Sequence, residues 1–125
     1  MNYVFKPHED NCASWCRDGY AGIPDAGREF LRNLDSPNFS PRLWRHQVEA
    51  LRRAIYAFEV LHRSDILLNI VTGGGKTVVI GGLVAYLKST HEINQHLILV
   101  PNTTVRARLV DAFDPSSTVR SENTR

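Results

Sequence analysis

A short segment near the middle of the chain has the residue types and order needed to bind phosphate groups. The segment Thr72-Gly-Gly-Gly-Lys-Thr77 lies between two apolar runs. Successive glycines let the backbone curve so that its N–H groups converge on an anion, and a following helix adds unpaired N–H groups and a positive dipole end. In such a loop Lys76 contacts the β- and γ-phosphates and the Thr77 hydroxyl is a ligand for Mg²⁺. The segment predicts a nucleoside triphosphate site with Lys76 and Thr77 as its catalytic pair.

The match to the full phosphate-loop pattern, G-x-x-x-x-G-K-[ST], fails only at its first position, which holds Ile70. The alternative is a flexible glycine hinge, which requires neither the Lys-Thr pair nor a flanking strand and helix. We therefore favour phosphate binding. The residues expected to bind the nucleotide are Thr72, Gly73, Gly74, Gly75, Lys76 and Thr77.

The elements around this loop predict an α/β fold. Residues 66–71 and 97–100 are short, nearly unbroken apolar runs, as is typical of parallel strands that are covered on both faces. A helix from Gly75 or Lys76 to about Ser89 lies between them, and about 25 residues suffice for a right-handed crossover. Gly81 and Gly82 in this helix suggest close approach to a strand or a neighbouring helix. We expect a doubly wound parallel sheet.

A second helix is predicted before the first strand. Ser40 and Pro41 suit a helix start, and apolar residues then recur at spacings of three and four until about His62. This stripe indicates core packing. Its members are Trp44, Val48, Leu51, Ile55 and Phe58.

The remaining segments divide the chain into three parts. Residues 1–40 are expected to be an amino-terminal extension with one short helix, at residues 26–34. Residues 41–113 form the main domain and end in a third helix, and residues 114–125 are a polar tail or a truncation end. Because a buried strand needs neighbours on both edges, two strands predict a sheet that is incomplete in this chain.

Composition excludes several classes of protein. The 125 residues are 42% hydrophobic and 22% charged, and the net charge of +2 is too small to indicate nucleic-acid binding by itself. No apolar run approaches the ~20 residues that span a membrane, and the amino terminus lacks a secretion signal. We expect a cytoplasmic protein without a membrane partner.

Two cysteines offer a possible metal site. Together with His8, Cys12 and Cys16 would supply three ligands to zinc, but a structural zinc site requires four. In a cytosolic protein they are expected to be reduced thiols that act as small apolar residues.

Three segments, taken in order, resemble the signatures of superfamily 2 helicases. Residues 45–51 (Arg-His-Gln-Val-Glu-Ala-Leu) look like the Q motif, residues 72–77 like motif I, and residues 97–101 (Leu-Ile-Leu-Val-Pro) like motif Ia. Over residues 40–113 the chain is similar to the group of type III restriction enzymes and excision-repair helicases. It departs from that group at His46, where an aromatic residue often precedes the glutamine.

The resemblance implies a P-loop, RecA-like fold with ATP and Mg²⁺ as cofactors. Gln47 matches the glutamine that hydrogen-bonds the adenine edge, for which an amide offers both a donor and an acceptor. Motif Ia of the family contacts the backbone of one nucleic-acid strand, which makes single- or double-stranded DNA the expected partner. The matching residues are Pro101, Asn102, Thr103 and Arg106.

The resemblance also implies an activity. In the family, an Asp-Glu pair holds Mg²⁺ and orients the attacking water, and an arginine arrives from a second RecA-like domain. No such acidic pair follows residue 113. The expectation is the ATP-binding part of a longer DNA helicase or translocase, for which a restriction system is one setting, and the chain alone is expected to be inactive. The alternatives are a truncated, non-catalytic nucleotide-binding fragment and a small P-loop kinase, for which no segment supplies a lid.

Overall fold

A computed structural model describes residues 5–34, 36–37, 42–70, 73 and 75–99. Within these ranges the regular elements are all helical. The chain divides into two units, residues 1–93 and residues 94–125. The elements are a short 3₁₀ helix at Lys6–His8 and four α-helices, α1 at Glu9–Arg17, α2 at Asp25–Asn33, α3 at Arg45–Glu59 and α4 at Lys76–His91.

The predicted parallel sheet is wrong for the part of the chain that is described. Residues 66–70 and 97–99 are not strands, and Leu67 is 94% exposed and Leu97 85% exposed. An apolar run shows that side chains favour burial, but a strand exists only where its backbone groups pair with another strand. Leu68 and Ile70 pack partly against the helices, so one side of residues 66–70 is covered while Leu67 remains open.

The helical core joins the amino-terminal residues to α3 and α4. The Trp15 ring of α1 lies 5.0 Å from the Tyr20 ring and 5.4 Å from the Tyr56 ring of α3, and its Nε1–H donates to the Ala21 carbonyl at 2.9 Å. On α2, the Phe30 ring lies 5.5 Å from the Tyr86 ring of α4. These aromatic contacts bury a continuous apolar cluster in which all four helices take part.

Several predicted helices are confirmed, with shifted boundaries. Residues 26–34 correspond to α2, and α4 continues two residues past the predicted end at Ser89. The helix expected from Pro41 begins at Arg45 instead. Val48, Leu51 and Ile55 of its stripe are buried, but Trp44 and Phe58 are exposed. Helix α1 was not predicted, although Cys12, Trp15 and Cys16 show helical spacing. The predicted third helix lies outside the described residues.

Helices α3 and α4 cross closely at a glycine. A Cβ atom placed on Gly82 would lie 2.9 Å from both Cδ1 and Cδ2 of Leu51, which is closer than side-chain atoms normally approach. The expectation that glycine here permits a neighbouring helix to approach is confirmed. This crossing brings the middle of α4 against the middle of α3.

Candidate nucleotide-binding site

The loop before α4 has a backbone that favours glycine. Gly75 is the N-cap of α4, with φ 76° and ψ 45°, in the left-handed region. Gly73 has a φ of 83°, and a Cβ there would meet no described atom within 4 Å. Residues with a side chain rarely adopt such φ values. At Gly73 the requirement for glycine is therefore conformational and not steric. Thr72 and Gly74 lie outside the described residues.

The first turn of α4 contains no acidic residue that would compete for its N–H groups. The Gly75 carbonyl accepts from the N–H groups of Val78 and Val79 at 3.1 and 3.4 Å. The N–H groups that precede them have no acceptor within the helix, no described side chain caps this end, and the first turn contains no acidic residue. Lys76 and Thr77 in this turn are exposed. The helix dipole and the Lys76 ammonium together favour an anion here.

Gln47 lies where the starts of α3 and α4 meet. Its side chain is buried, with 4% exposed, and its Oε1 accepts from the backbone N–H of Trp44 at 2.8 Å. Its Nε2 lies directly against Gly75, where a Cβ would collide with it. The structure thus brings the predicted adenine-binding residue and the predicted phosphate loop together.

Trp44 is an exposed aromatic residue beside Gln47. It is 58% exposed, and its ring centroid lies 5.5 Å from the His46 ring. Its assignment to the buried stripe was wrong because α3 begins after it, with Trp44 extended at φ −75° and ψ 157°. An exposed indole can stack on a nucleobase. Its position before the Arg-His-Gln sequence was the available signal.

The other predicted site residues are not placed by the structure. Pro101, Asn102, Thr103 and Arg106 lie outside the described residues. Among the described residues, no group of three or more histidine, cysteine or acidic side chains is arranged to hold a metal ion. No described helix combines the length and apolarity needed to cross a membrane.

The residues present fit a nucleotide with its Mg²⁺. The Thr77 hydroxyl is an oxygen ligand of the type that Mg²⁺ accepts alongside phosphates and water, and it is exposed on the same turn as Lys76. The glycine conformations, the N-terminus of α4 and the lysine are all suited to a polyphosphate.

Comparison with known proteins gives one family. The family model described as the type III restriction enzyme, res subunit, matches residues 40–124, which include α3, the glycine loop and α4. Neither the curated proteins nor the solved structures contain a match.

Proposed function

The chain belongs to the family of the type III restriction enzyme res subunit, a helicase-like superfamily 2 family, and on that premise we propose that it binds Mg·ATP between the starts of α3 and α4. The observation that supports this best is the contact of Gln47 with Gly75. That contact supports the proposal because it puts the Gln47 amide next to the N-terminus of a helix, and such a terminus favours anions.

The roles of the residues in this proposal follow from their chemistry. The backbone N–H groups of residues 73–77 and the Lys76 ammonium bind the phosphates, and the Thr77 hydroxyl is a ligand for Mg²⁺. When bound, Mg²⁺ neutralises charge on the β- and γ-phosphates. Gln47 hydrogen-bonds the adenine edge, and the exposed Trp44 ring supplies a face for the base.

The proposal extends to nucleic acid. The family of helicase-like proteins generally acts on nucleic acid, and Pro101, Asn102, Thr103 and Arg106 are proposed to contact a DNA backbone. Arginine side chains and backbone N–H groups are common donors to phosphate oxygens. In this proposal ATP hydrolysis by the longer parent, with a second RecA-like domain, drives movement along DNA, and a restriction system is one setting for it.

The second candidate function is nucleotide binding without hydrolysis. It omits the step for which the family uses an Asp-Glu pair, whose carboxylates hold Mg²⁺ and orient the attacking water. Both candidates require the same binding site. They differ only in turnover.

Calorimetric titration of the chain with Mg·ATP tests the binding site. We expect saturable binding that Lys76→Ala weakens at least tenfold, because one charge-assisted contact with phosphate contributes about 1.5–3 kcal/mol. The matched control is Lys88→Ala, in the last turn of the same helix, which should bind as the parent does. Equal affinity of the two variants would refute the site.

A second titration separates recognition of the base from recognition of the phosphates. If Gln47 and Trp44 contact adenine, ATP should bind more tightly than GTP, and Mg·tripolyphosphate should bind more weakly than either. Equal affinity for ATP and tripolyphosphate would remove Gln47 and Trp44 from the proposal and leave the phosphate loop.

A further inference from the structure

A pair of thiols on α1 lies apart from the nucleotide site. Cys12 and Cys16 are both free, and Cys12 is buried whereas Cys16 is partly exposed. Their spacing of four residues in a helix places them on one face, with about 5–6 Å between their Cβ atoms. Solvent can therefore reach the Cys16 thiol, whereas the Cys12 thiol, one helical turn away, is buried.

Two arginines of α3, Arg52 and Arg53, lie close enough to the pair to act on its thiols. A hydrogen bond from the Cys12 thiol and the nearby Arg52 guanidinium lower the pKa of Cys16 to about 7, against the opposing effect of burial. The same hydrogen bond, together with burial, raises the pKa of Cys12, although Arg53 and Arg52 oppose this. Glu9 of α1 and Glu49 of α3 both pair with Arg53, at 3.1 and 4.0 Å. A partly exposed thiol in a basic environment is the setting of reactive cysteines.

We propose that Cys16 is a peroxide-reactive thiol and that Cys12 resolves its oxidised form to a disulfide. The Cys16 thiolate attacks one oxygen of hydrogen peroxide. An S–O bond forms, the O–O bond breaks, and the hydroxide that leaves is neutralised to water by the proton that the Cys16 thiol released to solvent on ionising. The sulfur is oxidised by two electrons to a sulfenic acid, and the peroxide is reduced. Cys12 sulfur then attacks Cys16 sulfur, the S–O bond breaks, and the Cys12 proton leaves with the hydroxyl group as water.

The second step requires α1 to change shape. A disulfide needs its Cβ atoms about 3.5–4.5 Å apart, which is closer than the regular helix allows. The Trp15 ring lies on the turn between the two cysteines and is buried against Tyr20 and Tyr56. Disulfide formation should therefore alter the environment of Trp15, which its fluorescence reports.

Treatment of the 125-residue chain with hydrogen peroxide tests the proposal. In intact mass spectra we expect the parent to lose two hydrogen atoms, with recovery on reduction. Cys12→Ala should instead form a Cys16 adduct with dimedone, which traps sulfenic acids, and Cys16→Ala should form neither product. A dimedone adduct on Cys12 in place of Cys16 would overturn the assignment. A parent that accumulates sulfenic acid without a disulfide would overturn the resolving role of Cys12.

A kinetic measurement keeps the test independent of the cysteine variants. The rate of iodoacetamide alkylation of the folded parent should rise with pH, with a midpoint near pH 7, and at pH 7 it should be about threefold faster than in urea, because greater ionisation outweighs lower nucleophilicity. Arg52→Gln should move this midpoint to higher pH. Arg45→Gln, a highly exposed position on the same helix, should leave it unchanged. Identical profiles in the folded chain and in urea would overturn the proposal.

Discussion

The Gln47 side chain contacts both helix starts that form the candidate site. Its Oε1 accepts from the Trp44 N–H, so it stabilises the beginning of α3. Its Nε2 lies against Gly75, and this close approach is possible only because residue 75 has no side chain. The position of the Gln47 amide therefore depends on the glycine at residue 75, and a substitution of either residue should displace the other.

Gly75→Ala should damage both stability and nucleotide binding. The left-handed φ of 76° is unfavourable for alanine, and the added Cβ would displace Gln47. We expect the free energy of unfolding to fall by about 2–4 kcal/mol and the affinity for Mg·ATP to fall at least tenfold. Urea denaturation and calorimetry measure the two effects.

Gly22→Ala is the matched control for backbone strain. Gly22 has a φ of 86°, but a Cβ there meets no described atom within 4 Å. It should lose only about 1 kcal/mol and keep its affinity for the nucleotide. Unchanged binding in Gly75→Ala would contradict the dependence of the loop on Gln47.

Beyond the contact of Gln47 with Gly75, helices α3 and α4 also contact each other near their middles and at their far ends. Near the middle, Leu51 fills the space above Gly82. At the far end, the Tyr86 hydroxyl donates to Glu59 Oε1 at 2.8 Å, and the His91 ring also contacts this oxygen. One contact is purely steric and the other is polar, so they respond to different perturbations.

Gly82→Ala should destabilise the chain although alanine favours helices. The propensity gain is about 1 kcal/mol, whereas overpacking against Leu51 costs about 1–3 kcal/mol. We expect a net loss in urea denaturation, and a smaller loss or a gain when the substitution is made in a Leu51→Ala background. Equal effects in both backgrounds would show that the Leu51 side chain does not oppose a side chain at residue 82.

Tyr86→Phe should destabilise the chain by about 1–3 kcal/mol, because it removes a partly buried hydrogen bond to a carboxylate. Burial, followed by the hydrogen bond to Glu59, raises the pKa of Tyr86. The folded chain therefore keeps this proton when the unfolded chain loses it, and the contribution to stability is present below pH about 10 and declines above it. Denaturation at several alkaline pH values should show a decline that is steeper in the parent than in Tyr86→Phe. Parallel curves would contradict this assignment.

At the scale of the whole molecule, binding and turnover depend on different parts. The residues proposed to bind the nucleotide lie in the unit of residues 1–93, and the proposed DNA contacts at residues 101–106 lie in the unit of residues 94–125. Hydrolysis in this family additionally requires the acidic pair and an arginine from a second domain.

The 125-residue chain alone should therefore release no phosphate from ATP above the level of its Lys76→Ala variant, with or without DNA. A phosphate-release assay under conditions that saturate the nucleotide site measures this. DNA-stimulated release that disappears in Lys76→Ala would show that carboxylates within these residues activate water, and the second candidate function would then be excluded.

The parts of this molecule that the sequence predicts are those set by local chemistry. Gly73 and Gly75 adopt positive φ, and Lys76 begins a helix, because glycine freedom and helix starts are decided within a few residues. Residues 66–70 were wrongly assigned to a strand because pairing depends on residues elsewhere. Trp44 was misplaced because one helix boundary moved by four residues. The contact of Gln47 with Gly75 arises from tertiary packing, and no spacing rule predicts it.

The packing of Trp15 and Phe30 on Tyr56 and Tyr86 has a practical consequence for anyone who expresses this protein. The segment that defines its family begins at residue 40, yet the apolar cluster is completed by α1 and α2. Truncation of the chain at residue 40 would remove Trp15 and Phe30 and expose the Tyr56 and Tyr86 rings that they cover. Exposed apolar surface of this kind favours aggregation. For expression and for domain grafting, the segment that matches the family and the segment that packs into one core therefore begin at different residues.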